Sequence, residues 1–201
     1  VLGLATGSTP VGLYREMIAD FKAGGTSYAD VSTFNLDEYM GLDYSSDQSY
    51  VYFMREHLFD HIDIKLENTN IENGKAEDPT AECARYNALL AENTVDLQVL
   101  GIGSNGHIAF NEPGTPFDSV THVVDLTETT IKDNSRLFNS IDEVPKQAFT
   151  MGLSNIMTAK KIVVLANGAN KAKAVYGMVH GIKGLLDRNI VDLSKHIKND
   201  L

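Results

Sequence analysis

The feature that most constrains the fold of this chain is a rhythm of short apolar runs, each followed by small or polar residues and then by a stretch with helical spacing. The runs with strand character lie near residues 1–5, 31–36, 96–100, 121–126 and 162–166. The helical stretches lie near residues 10–21, 50–59, 78–93 and 128–137, with a last one from about residue 170. Short apolar strands that alternate with helices are typical of a parallel sheet covered on both faces. We therefore predict an α/β fold, doubly wound and Rossmann-like, with a mostly parallel sheet and helices on both faces.

The length and the two ends bear on domain organisation. A chain of 201 residues is long enough for one domain with a sizeable core and short for two. Val1 opens directly in a strand pattern, and the polar residues that lead to Leu201 show no clear strand. We expect a single domain over residues 1–201 that is truncated at both ends.

The net charge and the cysteine content indicate which classes of binding partner and which cellular compartment are expected. The formal net charge is −10 and the sequence pI is about 4.9, which argues against nucleic acid or an anionic membrane as the main partner. No apolar run approaches the roughly 20 residues that span a bilayer, and no secretory signal is evident. Cys83 is the only cysteine, which favours a reducing compartment. The chain is thus expected to be soluble and cytoplasmic, and to bind any anionic ligand through local features.

Four segments that follow predicted strands carry reactive or anion-binding residues. They are residues 6–9, 37–38, 103–112 and 167–171. In an open parallel sheet, ligands sit beyond the carboxyl ends of the strands. The sequence therefore predicts that these four segments meet in one site.

The first of these segments is a turn between a strand and a helix. It consists of Thr6, Gly7, Ser8 and Thr9. Thr9 is predicted to be the N-cap of the helix and Pro10 its first residue. Backbone N–H groups and hydroxyls in such a turn can bind a phosphate, although an ordinary capped turn explains the residues equally well. The turn lacks the lysine and the spacing of a P-loop, so both interpretations stay open.

The second and third segments offer acid–base groups. Asp37 and Glu38 are adjacent in a strand, where neighbouring side chains point apart, so one of them is a candidate base and the other could cap a helix or face water. His107 follows a loop with three glycines in six residues, 101–106, which predicts a presented imidazole. Glu112, five residues later, could orient that imidazole.

Two cations and two further histidines complete the candidates. Arg136 and Lys171 would each pass for a solvated surface charge if taken alone. His57 and His61 lie four residues apart on a predicted helix, but no third ligand accompanies them at metal-binding spacing. We interpret this pair as surface or packing residues and predict no metal site.

Taken together, three motifs resemble those of the glucosamine-6-phosphate deaminases. They are Leu-Gly-Leu-Ala-Thr-Gly-Ser-Thr-Pro at 2–10, Phe-Asn-Leu-Asp-Glu-Tyr at 34–39 and Gly-His-Ile-Ala-Phe-Asn-Glu-Pro at 106–113. The motifs occur in the family's order, and the similarity extends from residue 1 to about residue 179. The related 6-phosphogluconolactonases carry a different sequence after the corresponding histidine. The chain is accordingly identified as a member of the deaminase family.

The resemblance implies a reaction and assigns roles. Members convert glucosamine 6-phosphate and water into fructose 6-phosphate and ammonia in amino-sugar catabolism, without a metal or an organic cofactor. Asp37 matches the base that moves a proton from C2 to C1, His107 the group that helps to open the sugar ring, and Glu112 its orienting carboxylate. Asn105 stands where some members have aspartate, and a neutral amide can orient His107 without stabilising its cation by charge.

The resemblance also implies how the phosphate is held. The turn at residues 6–9 would bind it together with Arg136 and Lys171, and the segment matching about 126–149 forms a mobile lid in the family. The family also has a strand and a helix before the position of Val1 and a further strand near its end.

One difference between this sequence and that of the allosteric family members bears on regulation and oligomeric state. Allosteric hexameric members bind an acetylated sugar phosphate through basic residues just after the Asn-Glu-Pro motif, where this chain has His122 and Val124. We expect the effector site to be absent and the protein to be monomeric.

Two other functions compete with deamination. One is a non-catalytic sugar-phosphate sensor, although no helix-turn-helix pattern is evident and an acid–base set would be superfluous there. The other is lactone hydrolysis of the 6-phosphogluconolactonase kind, which would keep His107 but has no use for the match at residues 111–113.

Overall fold

The structure is a computed structural model that describes residues 1–180. Its strands are β1 (Leu2–Leu4), β2 (Thr33–Asn35), β3 (Asp37–Tyr39), β4 (Thr69–Asn70), β5 (Leu97–Gly101), β6 (His122–Asp125), β7 (Gln147–Thr150) and β8 (Lys161–Leu165). Its α-helices are α1 (Val11–Lys22), α2 (Tyr50–His57), α3 (Pro79–Glu92), α4 (Glu128–Asn134), α5 (Leu153–Met157) and α6 (Ala172–His180).

The main sheet has five strands in the order β4-β2-β1-β5-β8, and each pairing is parallel. Leu4 on β1 packs with Tyr14 and Met54 from α1 and α2 on one face. Phe34 on β2 packs with Tyr86 of α3 on the other face. Leu4 and Phe34 lie on opposite faces because Leu4 pairs with the residue after Phe34. The predicted doubly wound sheet, covered on both faces, is confirmed.

A second sheet was not predicted. Its three antiparallel strands have the order β3-β7-β6, and it is connected to the main sheet by Leu36, the single residue between β2 and β3. Tyr39 and Ala148 form its buried cluster together with Leu126, and Ile131 of α4 packs against them. The strand predicted at 121–126 therefore exists as β6, but it belongs to this small sheet and not to the parallel one.

The starts of two helices, α3 and α1, can be compared with the helical stretches predicted from the sequence. Asp78 caps α3, since its side chain accepts from the backbone N–H groups of Thr80 and Ala81, and Pro79 is the first helical residue. The prediction for α1 was wrong by one residue. Pro10 occupies the cap position, the helix begins at Val11 and no side-chain cap is formed, so Thr9 is not the N-cap.

Among the described residues, no helix combines the length and the apolar character needed to cross a bilayer.

Candidate active site

A cleft of about 400 Å³ opens where the carboxyl ends of β1, β5 and β8 meet the small sheet. It is lined by nine of the ten predicted site residues, namely Thr6, Gly7, Ser8, Thr9, Asp37, His107, Glu112, Arg136 and Lys171. Asn105, the tenth, lines an adjoining apolar groove that shares Glu112 with the cleft. The structure therefore brings the four predicted segments together, as the position of strand ends required.

Asp37 forms the buried floor of the cleft. It lies on β3 opposite Thr150 of β7, and it is 7% exposed. Burial, reinforced by the neighbouring carboxylate of Glu38, raises the pKa of Asp37 to about 8. A carboxylate with so high a pKa is a much stronger base than one in water, which is what abstraction of a proton from carbon demands.

Glu38 points away from the cleft and caps a helix. Its carboxylate accepts hydrogen bonds from the backbone N–H groups of Tyr39 at 2.8 Å, Tyr50 at 3.0 Å and Val51 at 3.1 Å, the last two at the start of α2. Burial raises the pKa of Glu38 to about 7, and these N–H groups oppose the rise. The prediction that the two adjacent carboxylates would separate is confirmed, and the capping role belongs to Glu38.

His107 is held by a turn that requires glycine. A Cβ on Gly103 would lie 2.3 Å from the imidazole ring, and Gly106 adopts a φ of 97°. The Nδ1 atom of His107 lies 3.9 Å from Oε1 of Glu112, which is an electrostatic contact and too long for a hydrogen bond. Partial burial lowers the pKa of His107, Glu112 opposes this, and the charge of Lys171 adds to the lowering. The neutral imidazole is therefore favoured at neutral pH.

Asn105 connects the two halves of the His107 loop. Its Nδ2 donates to Oε2 of Glu112 at 2.7 Å, and its Oδ1 accepts from the backbone N–H of His107 at 3.1 Å. The amide thus contacts the carboxylate of Glu112 and the main chain of His107, and its role in orienting the imidazole stays a prediction.

The cleft also carries polar turns and cations. Gly7 has a φ of 89° in the turn after β1, and Thr9, which does not cap α1, lines the cleft. Lys171 ends a short 3-10 helix that follows β8. Arg136 lies in another 3-10 helix, directly after α4, and is exposed. These groups provide the donors and positive charge that a phosphate requires.

The segment that carries Arg136 is attached to the floor of the site through Tyr39. Asn134 donates from Nδ2 to the Tyr39 hydroxyl at 2.7 Å, and Phe138 packs against the Tyr39 ring with centroids 6.1 Å apart. Arg136 is therefore positioned from the same strand that bears Asp37.

Several residues of the cleft wall were not singled out in the sequence. Ala109, Phe110 and Asn170 lie inside the predicted segments 103–112 and 167–171, whereas Tyr50, Thr130 and Asn134 lie outside all four segments. Asn170 adjoins Lys171, so proximity in sequence could have indicated it. Tyr50 and Phe110 are aromatic residues whose rings lie parallel, 6.4 Å apart, and nothing in their local sequence distinguishes them from core residues.

His57 and His61, interpreted as surface or packing residues, contact neighbours within the same part of the chain. The His57 ring packs edge-on against Phe53, and Nε2 of His61 lies 2.8 Å from the carbonyl oxygen of Glu56. Within residues 1–180, no group of three or more histidine, cysteine, aspartate or glutamate side chains is arranged to hold a metal ion.

Comparison with known proteins gives one consistent result. A sequence model of the family "Glucosamine-6-phosphate isomerases/6-phosphogluconolactonase" matches residues 1–185. A glucosamine-6-phosphate deaminase of Lactobacillus delbrueckii subsp. bulgaricus is 59% identical over 180 residues, which cover 90% of this chain and 74% of that protein. One of Clostridioides difficile is 53% identical over 182 residues, covering 90% and 73%.

Solved structures agree with the sequence comparison. A monomeric glucosamine-6-phosphate deaminase superimposes with a TM-score of 0.87 at 48% identity, covering 92% of this chain and 77% of that one. A 6-phosphogluconolactonase from Thermotoga maritima superimposes with a TM-score of 0.71 at 17% identity, covering 94% and 82%. At that identity, the second likeness concerns the fold alone.

Proposed function

Since this chain belongs to the family of glucosamine-6-phosphate isomerases and 6-phosphogluconolactonases, we propose that it converts glucosamine 6-phosphate and water into fructose 6-phosphate and ammonia. The observation that carries the proposal is the buried carboxyl of Asp37, which shares one cleft with an imidazole and two cations. The identity of 59% to a curated deaminase supports it. The pathway it would serve is amino-sugar catabolism.

Ring opening is the first step that the site can perform. His107 in its neutral form accepts the proton of the 1-hydroxyl group through one nitrogen, and the imidazolium then donates a proton to the ring oxygen as the bond between that oxygen and C1 breaks. Glu112, 3.9 Å from Nδ1, stabilises the imidazolium that forms in between. Asn105 holds that carboxylate in place.

Asp37 then carries out the isomerisation. Its carboxylate takes the proton from C2 of the open-chain aldehyde, giving an enolamine, and returns a proton to C1. The C2 imine that results reacts with water, releasing ammonia and leaving the ketone of fructose 6-phosphate. One carboxylate can serve both carbons because they are bonded neighbours, and its raised pKa makes it basic enough for the first transfer.

The phosphate is anchored by the polar turn and the two cations of the cleft. The backbone N–H groups and hydroxyls of residues 6–9 bind its oxygens, Lys171 contributes a fixed charge, and Arg136 closes over it. Closure of the segment that bears Arg136 excludes water from Asp37, which protects the enolamine and sustains the basicity of the carboxylate.

The proposal also covers the oligomeric state, the compartment, the cofactors and the partners of the protein. The protein would act as a monomeric, single-domain enzyme in the cytoplasm, on a small sugar phosphate, with no metal or organic cofactor and no nucleic-acid or membrane partner. The description of the structural relative at 48% identity as monomeric supports the first of these points.

One assay tests the proposal against its competitors. Purified protein is given glucosamine 6-phosphate, and ammonia and fructose 6-phosphate are measured separately. Equal amounts of both products are expected. Binding without turnover would favour a sugar-phosphate sensor, and turnover of 6-phosphogluconolactone in place of the amino sugar would favour a lactonase; either result would refute deamination.

A further inference from the structure

Two buried polar side chains lie behind the cleft wall, between Asp37 and the His107 loop. Asn111 is 3% exposed and Thr150 is fully buried. Asn111 belongs to the segment that joins His107 to Glu112, and Thr150 ends the strand β7, which runs beside Asp37. Buried polar groups of this kind are retained where their hydrogen bonds fix a geometry.

Their contacts connect the two elements that carry the acid–base groups. Thr150 pairs with Asp37 across the small sheet, and its Oγ1 accepts from the backbone N–H of Phe110 at 3.2 Å. Asn111 donates from Nδ2 to the carbonyl oxygen of Met151 at 2.8 Å and to that of Ile108 at 3.1 Å. The His107 loop is therefore attached to Thr150, the last residue of β7, and to Met151, which follows it.

The chain from residue 151 leads back to the base by one further bond. The backbone N–H of Met151 donates to the carbonyl oxygen of Leu36 at 2.7 Å, and Leu36 directly precedes Asp37. The path from Asn111 through Met151 to Leu36, the neighbour of Asp37, thus consists of two hydrogen bonds of 2.8 and 2.7 Å between buried residues.

A strained turn lies between Ile108 and Asn111, in the segment that these hydrogen bonds attach to residues 150 and 151. Ile108 and Asn111 form an antiparallel bridge that closes a tight turn, and Ala109 within it has a φ of 54°. A residue with a Cβ adopts this conformation only at a cost, and it persists where the surroundings determine it. The hydrogen bonds that Asn111 and the backbone N–H of Phe110 donate are surroundings of that kind.

We propose that Asn111 and Thr150 are positioning residues that set the distance between the carboxylate of Asp37 and the His107–Glu112 pair. The inference rests on the proposed function, in which Asp37 acts on C2 and C1 of the substrate and His107 acts on the oxygens bonded to C1. A misplacement of about 1 Å between such groups can cost on the order of 10²-fold in rate. The residues proposed to bind the phosphate lie on other segments, so phosphate binding should not depend on the hydrogen bonds of Asn111 and Thr150.

The test replaces one hydroxyl by a methyl group at two matched sites. Thr150→Val keeps the shape and the strand preference and removes the acceptor for Phe110. Thr33→Val is the control, because Thr33 is a strand residue, 1% exposed, whose hydroxyl has no hydrogen-bond partner within the described part of the chain. We expect Thr150→Val to lower kcat about 10-fold with KM within about twofold of the wild type. Thr150→Ser should restore most of the rate, and Thr33→Val should resemble the wild type.

A second measurement does not need turnover. The NMR signals of the His107 ring, assigned with His107→Gln, report the position of the loop in the protein without substrate. The chemical shifts of these signals should change in Thr150→Val and in Asn111→Ser and stay unchanged in Thr33→Val. Unfolding midpoints measured for each variant verify that it is folded. If the wild type released no ammonia, the proposed function would fail and this arm would still decide the positioning claim. Unmoved His107 signals in folded Thr150→Val, or a kcat equal to that of Thr33→Val, would overturn it.

Discussion

Two sets of residues in the cleft differ in how they are built. The proposed proton-transfer set, Asp37, His107 and Glu112, lies on a strand and on a loop that is hydrogen-bonded to buried Thr150 and Met151, and Asp37 is only 7% exposed. The proposed anchoring set, residues 6–9 with Arg136 and Lys171, lies in turns and short 3-10 helices at the surface. The function proposed for the first set depends on exclusion of water, whereas that of the second depends on charges that salt can screen. Substitutions in the two sets should therefore differ in kind as well as in size.

The largest effect is expected from Asp37→Asn. The amide keeps the shape of the side chain and cannot accept a proton, so kcat should fall by at least about 10²- to 10⁴-fold, while binding of the sugar phosphate is nearly retained. Steady-state kinetics and equilibrium binding measure the two quantities. A variant that kept more than about a tenth of the wild-type kcat would show that another group is the base.

The same substitution should stabilise the fold in a pH-dependent way. The pKa of Asp37 is about 8 in the folded protein and near 3.9 in an unfolded chain. Between these values the folded state holds a proton that the unfolded state has released, so the wild type loses stability as pH rises through this window. Asp37→Asn avoids that loss, and its gain should grow from pH 4 to pH 8 by about 1.4 kcal/mol per pH unit, reaching on the order of 4 kcal/mol at neutral pH. Denaturant unfolding at several pH values measures it.

In the proposed anchoring set, the losses should be smaller and should appear mainly in KM. Lys171→Ala removes a charged hydrogen bond from a preformed site, worth roughly 1.5–3 kcal/mol, or about a 10- to 150-fold rise in KM. Arg136→Ala should also lower kcat, because a segment that cannot grip the phosphate closes less often over Asp37. Both KM values should depend on ionic strength less than that of the wild type.

Glucosamine without its phosphate is the control for this pair. Both variants should process it almost as the wild type does, because the contact they lack was never available to that substrate. Equal impairment on the phosphorylated and unphosphorylated sugars would mean that the residue acts on the fold or on the chemistry.

A subtler change is expected when the carboxylate behind the base is neutralised. Asp37 works only when deprotonated, so kcat/KM should rise with pH up to about 8. Glu38 contributes to that high pKa, and Glu38→Gln should move the acidic limb of the profile to lower pH by about one unit. The pH dependence of kcat/KM provides the measurement. A limb that stayed in place would assign the raised pKa to burial alone.

The smallest effect is expected from an effector. The basic pair of allosteric members is replaced by His122 and Val124 on β6, so the N-acetylated sugar phosphate should leave the rate unchanged and the saturation curve should be hyperbolic. Initial rates with and without the compound test this. A sigmoidal curve made hyperbolic by it would reveal an effector site built from other residues.

The sequence predicted the parallel sheet and the meeting of four segments because both depend on local patterns, apolar runs and strand ends. It missed β7 and the small sheet for a physical reason. β3 is three residues long, carries two carboxylates and is buried on both faces, so it shows neither an apolar run nor an alternation. Its partner lies about 110 residues along the chain, and only that pairing explains its strand conformation. The anchoring cations were ordinary surface charges until the fold placed them.

The pairing of Asp37 with Thr150 also has a consequence for biogenesis. These residues are 113 positions apart in sequence but adjacent in the small sheet. On the ribosome, the floor of the site therefore cannot form until the strand that ends at Thr150 has emerged, even though every residue of β1, β2 and the first turn is already outside. Until then Asp37 remains hydrated, with the weak basicity of an ordinary aspartate. The nascent chain thus acquires its reactive carboxylate late, when the surfaces that will enclose it are available.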